Sequence, residues 1–263
     1  MQDELVAVAL AAADVSRSVT MSYFRTPGLD TRNKDEGGFD PVTLADRRAE
    51  AAIRRLLEER RPQDAIRGEE YPDREGSSGL TWVLDPIDGT RGFISGTPTW
   101  GTLISLRDET GPVFGLIDQP FTDERFIGGF GRAELIRPVG RSPLAVRPAA
   151  RLDQSILFST FPEVGTGTER EAFLALSQKA RLTRYGMDCY AYALLALGTV
   201  DLVVEAGLHA FDIQAPIAVI QAAGGIVTDW KGNPAHEGGR VVAAASPQLH
   251  EEALQVLSCA REN

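Results

Sequence analysis

The stretch Trp82-Val83-Leu84-Asp85-Pro86-Ile87-Asp88-Gly89-Thr90-Arg91-Gly92-Phe93 sets two carboxylates three residues apart where an apolar run meets a glycine turn. Trp82, Val83 and Leu84 read as a buried strand over 81–85 that ends at Asp85. Pro86 keeps Asp85 extended, because the residue before proline is pushed out of the helical region. Gly89 and Thr90 then open a helix whose free N–H groups make a seat for phosphate. Paired carboxylates beside an anion seat make chemical sense when cations lie between them. The run therefore reads as a magnesium-dependent phosphoryl site.

Asp46, Glu69 and Asp212 lie at the ends of other expected elements and are placed to converge with Asp85 and Asp88. Hard oxygen donors favour magnesium, manganese or calcium over zinc. The three histidines, His209, His236 and His250, form no HxxxH pair, which argues against zinc. No EF-hand loop pattern occurs, which argues against a calcium buffer.

These acids need a scaffold. Apolar residues at helical spacing (Leu5, Val8, Ala9, Ala12, Val15, Val19) predict a long amphipathic helix over 3–25. The charged, glycine-containing stretch 28–40 reads as a mobile loop. A second helix follows Pro41, with Thr43 near its start, Ile53, Leu56 and Leu57 inward, and a stop near Arg61-Pro62. A short strand over 65–69 delivers Glu69. Strands follow over 81–85, 100–107, 112–118 and 124–130, with a hairpin turn from Asp108 to Pro112. Beyond about 135 the elements shorten and alternate. Strands fall near 155–158, 200–205 and 241–245. Helices fall near 169–180, 189–197 and 212–223, with a last one after Ser246-Pro247. Antiparallel strands followed by alternating elements predict a layered α/β protein in two fused halves. Residues 1–134 carry the metal site in this reading, and 135–263 complete it.

The formal charge of −10 disfavours a nucleic-acid surface, which needs a basic stripe. A phosphorylated substrate remains compatible, because bound divalent ions reverse the local sign. The two cysteines, Cys189 and Cys259, form no CxxC pair and suggest no disulfide framework. No run approaches the roughly 18 apolar residues of a membrane span. Asp3, Glu4 and Asp14 break any secretory pattern. A cytoplasmic location without a membrane partner follows by default.

Three motifs now carry a family resemblance over nearly the whole chain. Gly68-Glu69-Glu70, Asp85-Pro86-Ile87-Asp88-Gly89-Thr90 and Phe211-Asp212, in this order, resemble the inositol monophosphatase family of metal-dependent phosphatases. The resemblance implies a five-layer αβαβα sandwich, a homodimer, magnesium dependence with manganese as a substitute, and inhibition by lithium. It implies that Glu69, Asp85 and the Ile87 carbonyl hold one metal, that Asp85, Asp88 and Asp212 hold a second, and that a third, weaker ion sits near Glu69. Gly89 and Thr90 would offer N–H groups to phosphate, and Thr90 with Asp46 would orient the attacking water. One departure is local. The chain reads Phe211-Asp212-Ile213-Gln214-Ala215-Pro216, where many relatives have tryptophan before the acid and small residues after it.

The segments 91–98, 101–104, 115–120, 186–192 and 201–205 look like the histidinol-phosphate phosphatase branch. Histidinol carries an ammonium and an imidazole, so its site should offer anions away from the phosphate. Asp188 and Glu205 supply that chemistry. Asp188 also reads as an N-cap of the helix carrying Tyr190 to Leu197, and Glu205 as a surface acid. Arg91 contacts phosphate or forms a structural ion pair. Phe93 and Trp100 read as core or pocket wall, Cys189 as a buried structural thiol, and His209 as peripheral.

The rival enzymes are phosphatases for 3′-phosphoadenosine 5′-phosphate, which would need more basic groups near 155–190, and for inositol 1-phosphate. Fructose-bisphosphatase activity has no distinct support. A non-catalytic metal- or phosphate-binding relative is the other class, and the intact acid set argues against it.

Overall fold

The computed structural model describes residues 1–26, 31–33, 41–148 and 151–258, with the backbone alone for 31–33 and 41–42. The expected loop over 28–40 lies outside the described residues apart from 31–33, and so does Cys259. The strands β1 (Thr31–Asn33) and β2 (Pro41–Thr43) pair antiparallel.

Helices α1 (Gln2–Tyr23) and α2 (Leu44–Arg60) form the first layer. Helix α2 starts where its sequence places a capping box. The Thr43 side chain accepts from the Ala45 N–H at 3.1 Å, and Asp46 Oδ2 accepts from the Thr43 N–H at 2.9 Å. Helix α1 has the length and mean hydropathy (1.3) of a membrane span, although no uninterrupted apolar run reaches that length. Its Leu5, Val8, Ala9 and Ala12 instead pack on Trp82, Leu106 and Leu116 of a sheet.

That sheet has seven strands in sequence order: β3 (Ala65–Gly68), β4 (Thr81–Asp88), β5 (Gly101–Asp108), β6 (Gly111–Gln119), β7 (Glu124–Gly129), β8 (Arg132–Arg137) and β9 (Gly140–Pro143). Strands β3 and β4 run parallel, and the rest are antiparallel neighbours. Side chains alternate between faces with period two. Ile104, Leu106, Leu116 and Ile127 face α1 and α2, while Leu103, Ile117, Phe126 and Leu135 face the molecule's centre. Both faces are apolar because both are covered.

The short helix α3 (Thr90–Ser95) follows β4. The second half adds β10 (Ile156–Ser159), α4 (Gly167–Ser177), β11 (Leu182–Tyr185), α5 (Asp188–Ala196), β12 (Leu202–Leu208), α6 (Ala210–Ala222), β13 (Ile226–Asp229), β14 (Gly239–Ala244) and α7 (Pro247–Leu257). Its five strands are ordered β11-β10-β12-β14-β13. Helices α5 and α6 fill the central layer, where Cys189, Ala193, Ile213, Ile217 and Ile220 join the inner faces of both sheets. Helices α4 and α7 cover the far side through Phe173, Leu176, Leu249 and Leu257 against Leu202, Val204 and Val242. The result is the expected αβαβα sandwich.

Strands β8, β9, β11 and β13 escape the sequence reading. They have four to six residues. Strands β9, β11 and β13 are sheet edges, where one flank is unpaired and the alternation that marks a half-buried strand is weak.

Candidate active site

The two central acids share a face because β4 is irregular. It runs to Asp88, three residues past its expected end. Asp85 pairs with Leu103 and Asp88 with Gly101, so three steps on β4 match two on β5. In a regular strand, residues three apart point to opposite faces. The extra residue of this bulge restores them to one face. Pro86, which lacks an N–H, falls inside the bulge, and its carbonyl accepts from Thr102 Oγ1 at 2.8 Å.

Asp212 reaches the same place from α6. That helix starts at Ala210, two residues before its expected start, which puts Asp212 in the first turn. Its Oδ2 accepts from the His209 N–H at 2.6 Å. The unusual residues beyond it belong to the central layer. Gln214 is buried and donates to the His236 carbonyl at 2.9 Å, while Pro216 lies within the helix. Carboxylate oxygens of Asp85, Asp88 and Asp212 lie within 4.8 Å of one another. None has an ion-pair partner among the described residues.

Electrostatics define what this cluster lacks. Burial, then repulsion from Glu69, Asp88, Asp212 and Asp46, pushes Asp85 well above the carboxylate range. Burial, then Asp212 and Asp188, does the same to Asp88. Asp212 is pushed up to about 6, chiefly by burial. Converging buried oxygens with no protein counter-charge fit hard divalent cations, which would hold them ionised.

The predicted residues Glu69, Asp85, Ile87, Asp88, Gly89, Thr90, Arg91, Asp188, Glu205 and Asp212 line one open cleft of about 540 Å³. Asp46 stands behind that wall. Thr90 Oγ1 donates within reach of Asp46 Oδ1 (3.4 Å) and of the Ile87 carbonyl (3.2 Å). Burial raises Asp46 to about 7, against hydrogen bonds from Thr43 that lower it. Gly89 caps α3 with φ of +84°, a conformation that glycine takes without strain.

Two expectations about the outer wall change. Asp188 is not the cap of α5. Met187 holds that position, and Asp88 Oδ2 accepts from the Cys189 N–H at 2.7 Å. Asp188 itself has φ of +45°, accepts from Thr99 Oγ1 at 3.1 Å, and fills the space where side chains at Gly89 and Gly92 would stand. Glu205 is not a surface acid. It is 7% exposed, accepts from Thr160 Oγ1 at 2.8 Å, and burial pushes it up to about 8. Arg91 lies 4.8 Å over the Phe161 ring at the rim. Its charge lowers Asp188 against the larger effect of burial. His209 lines the cleft rather than standing apart, with its ring stacked on Phe211. Phe93 and Trp100 pack together in the core at 4.8 Å, and Cys189 is buried.

Two residues were not anticipated. Glu50, fully buried on α2 one turn after Asp46, accepts from the Glu70 N–H at 2.8 Å and from Arg54 at 2.7 Å. A side chain at Gly68 would collide with this carboxylate. The i, i+4 spacing of Asp46 and Glu50 on an otherwise inward face was the available signal. Tyr192, a turn beyond Asp188, lines the cleft, yet its buried hydroxyl has no hydrogen-bond partner among the described residues. Stranding such a group costs about 1–3 kcal/mol. Its apolar surroundings gave no sequence signal.

A cluster of buried acids beside an anion seat, held in a five-layer αβαβα sandwich, defines a metal-dependent phosphatase. The chain belongs to the inositol monophosphatase family, whose model matches residues 1–262. It is 40% identical to the Arabidopsis thaliana chloroplastic bifunctional phosphatase IMPL2 over 97% of this chain and 75% of that protein. It is 34% identical to a Mycobacterium tuberculosis histidinol-phosphatase over 97% and 98% of the two chains. The solved inositol monophosphatase from Zymomonas mobilis superposes with a TM-score of 0.85 at 37% identity, over 97% and 98% of the two chains.

Proposed function

We propose that this phosphatase hydrolyses L-histidinol phosphate to L-histidinol and phosphate. The observation carrying this reading is the second pair of acids, half-buried Asp188 and buried Glu205, in the same cleft as the trio of Asp85, Asp88 and Asp212. An alcohol with an ammonium and an imidazole gives such a wall a purpose. The hydroxyls of inositol can donate to a carboxylate, but they carry no charge that calls for the extra acid at Asp188. The likeness to the M. tuberculosis histidinol-phosphatase supports the same choice.

In this reading Glu69, Asp85 and the Ile87 carbonyl would hold one Mg²⁺, Asp85, Asp88 and Asp212 would hold a second, and Glu69 would help hold a third; Mn²⁺ would substitute and Li⁺ would inhibit. When bound, the cations supply charge neutralisation for the phosphoryl group and activation of water. The chain supplies positioning. The N–H groups of Gly89 and Thr90, at the start of α3, orient the phosphate oxygens, with Arg91 beside them. Thr90 Oγ1 directs its proton toward Asp46, leaving its lone pairs to accept from water in line with phosphorus. Asp46, held at the start of α2 by hydrogen bonds from Thr43, accepts from Thr90 and so fixes the direction of that hydroxyl. The enzyme acts as a cytoplasmic homodimer.

The test is phosphate release in Mg²⁺ from L-histidinol phosphate, inositol 1-phosphate and 3′-phosphoadenosine 5′-phosphate side by side. Histidinol phosphate should give the highest kcat/KM. Preference for inositol phosphate would replace the substrate while keeping the chemistry, and no release from any ester would favour a binding protein.

A further inference from the structure

Packing accounts for the ring of Tyr192 but not for its hydroxyl. The residue is 2% exposed and its ring joins the central apolar layer with Cys189, Ala193 and Ile213. A phenylalanine would fill that space without stranding a polar atom. Arg74 Nη1, Trp100 Nε1 and Gln214 Oε1 are also buried without partners, but none of those residues lines the cleft. Burial, then the charge of Glu205, holds the phenol well above its usual range, so it stays protonated. It therefore keeps both a donor and an acceptor for whatever enters.

The surroundings select the class of that group. Glu205 and Asp188 line the same cleft, each already accepting one hydroxyl proton, from Thr160 and Thr99. Among the described residues no lysine lines it, and Arg91 is its one arginine. An anion would meet repulsion here, whereas a positively charged N–H donor would meet acceptors. We propose that the Tyr192 hydroxyl is a specificity contact for the cationic, nitrogen-bearing end of the substrate alcohol, with Glu205 as the counter-charge. This rests on the histidinol-phosphate reading.

Tyr192→Phe keeps the ring and removes only the hydroxyl. It is compared with wild type on L-histidinol phosphate and p-nitrophenyl phosphate, together with calorimetric binding of L-histidinol and a thermal melt. The expected result is a KM for histidinol phosphate raised about tenfold, the loss of one hydrogen bond to a charged group. Its kcat should stay within about twofold, since the contact is remote from the reacting bond. Histidinol binding should weaken in step, the aryl ester should be unaffected, and Tm should hold or rise. Equal effects on both esters, no effect on either, or a clear drop in Tm would overturn the contact. A wild type that uses aryl phosphate but not histidinol phosphate would overturn the substrate reading itself, and the contact with it.

Discussion

Buried acids fall into two groups in this molecule. Outside the cleft, all but Asp46, which is bonded to Thr43 and Thr90 behind the cleft wall, meet arginine among the described residues. Asp118 is held by Arg17 and Arg125 at 2.7 and 2.8 Å, Asp64 by Arg61 at 2.8 Å, and Asp201 by Arg147. Burial alone would raise Asp64, but hydrogen bonds from Arg61, Ser78 and Trp82 outweigh it and hold the carboxyl low. Inside the cleft, buried Asp85 and Glu205 and half-buried Asp88 and Asp212 face one another, and all are pushed up. The same residue type is thus a completed ion pair in one region and unneutralised charge in the other. Burying charge without compensation is costly. That cost is tolerable at a place where the counter-charge arrives as ligand.

The sharpest way to break this comparison is the same substitution in each region. Asp88→Asn should lower turnover by at least about 10³-fold, roughly 4 kcal/mol of barrier. In metal-free protein it should leave Tm unchanged or raise it, because it removes repulsion while the amide oxygen still accepts from Cys189. Asp118→Asn should do the reverse. It takes the shared carboxylate from two guanidinium groups and should cost about 2–3 kcal/mol, below the 3–5 of a fully buried pair, because Arg17 keeps Asp123, Arg125 keeps Asp14, and the Arg17 side chain is 25% exposed. Thermal melts in EDTA and initial rates in Mg²⁺ separate the two. Similar losses of stability in both variants would dissolve the distinction.

Glu50 tests the border between the regions, since it has an arginine yet braces the turn that carries Glu69. Gln cannot accept from both Glu70 and Arg54. Glu50→Gln should therefore weaken Mg²⁺ binding about tenfold, as loss of a residue supporting a ligand does, with a smaller effect on kcat at saturating metal. Titration calorimetry reads this directly, and an unchanged affinity would reduce Glu50 to a fold residue. Asp188→Asn should act more weakly. The amide still fills the space beside Gly89 and Gly92 and still accepts from Thr99. KM for histidinol phosphate should rise about threefold, with less effect on an aryl phosphate, as for a partly screened charge contact. Equal loss on both esters would show that Asp188 works through the phosphate seat.

The family and its five layers were legible because three acid motifs stand in order and the long elements carry clear periods. The cleft residues were legible as a set for the same reason. What the sequence hid is geometric. Asp85 and Asp88 are spaced as opposite faces of a regular strand, and only the pairing with β5 reveals the bulge that joins them. Asp88 rather than Asp188 accepts the free N–H at the start of α5, because that bond goes to the carboxylate nearer in space, here 101 residues away in the chain. Glu50 and Tyr192 were missed because an acid on a helix and a tyrosine in an apolar run look ordinary until their partners are seen. The edge strands β9, β11 and β13 were missed for want of alternation.

The smallest expected effect is on pH dependence, and it tests the sign of the argument. In the metal-free folded protein Glu205 is raised to about 8 and Asp46 to about 7, from ordinary values of 4.5 and 3.8. Both bind protons when folded that the unfolded chain has already released. Stability falls with pH wherever the native state binds more protons. These acids therefore add stability below pH 4 that is lost as pH rises through 7 and 8. His236 and His250, lowered chiefly by burial from 6.5, act with the opposite sign, and their contribution is nearly complete above that pH. Between pH 6.5 and 8, Tm in EDTA should drift downward. Glu205→Gln should flatten the upper part of that slope, while Asp118→Asn, which lowers Tm far more, should leave the slope as it is. A rising Tm over this interval, or the same slope in the Gln variant, would place Glu205 among the compensated acids.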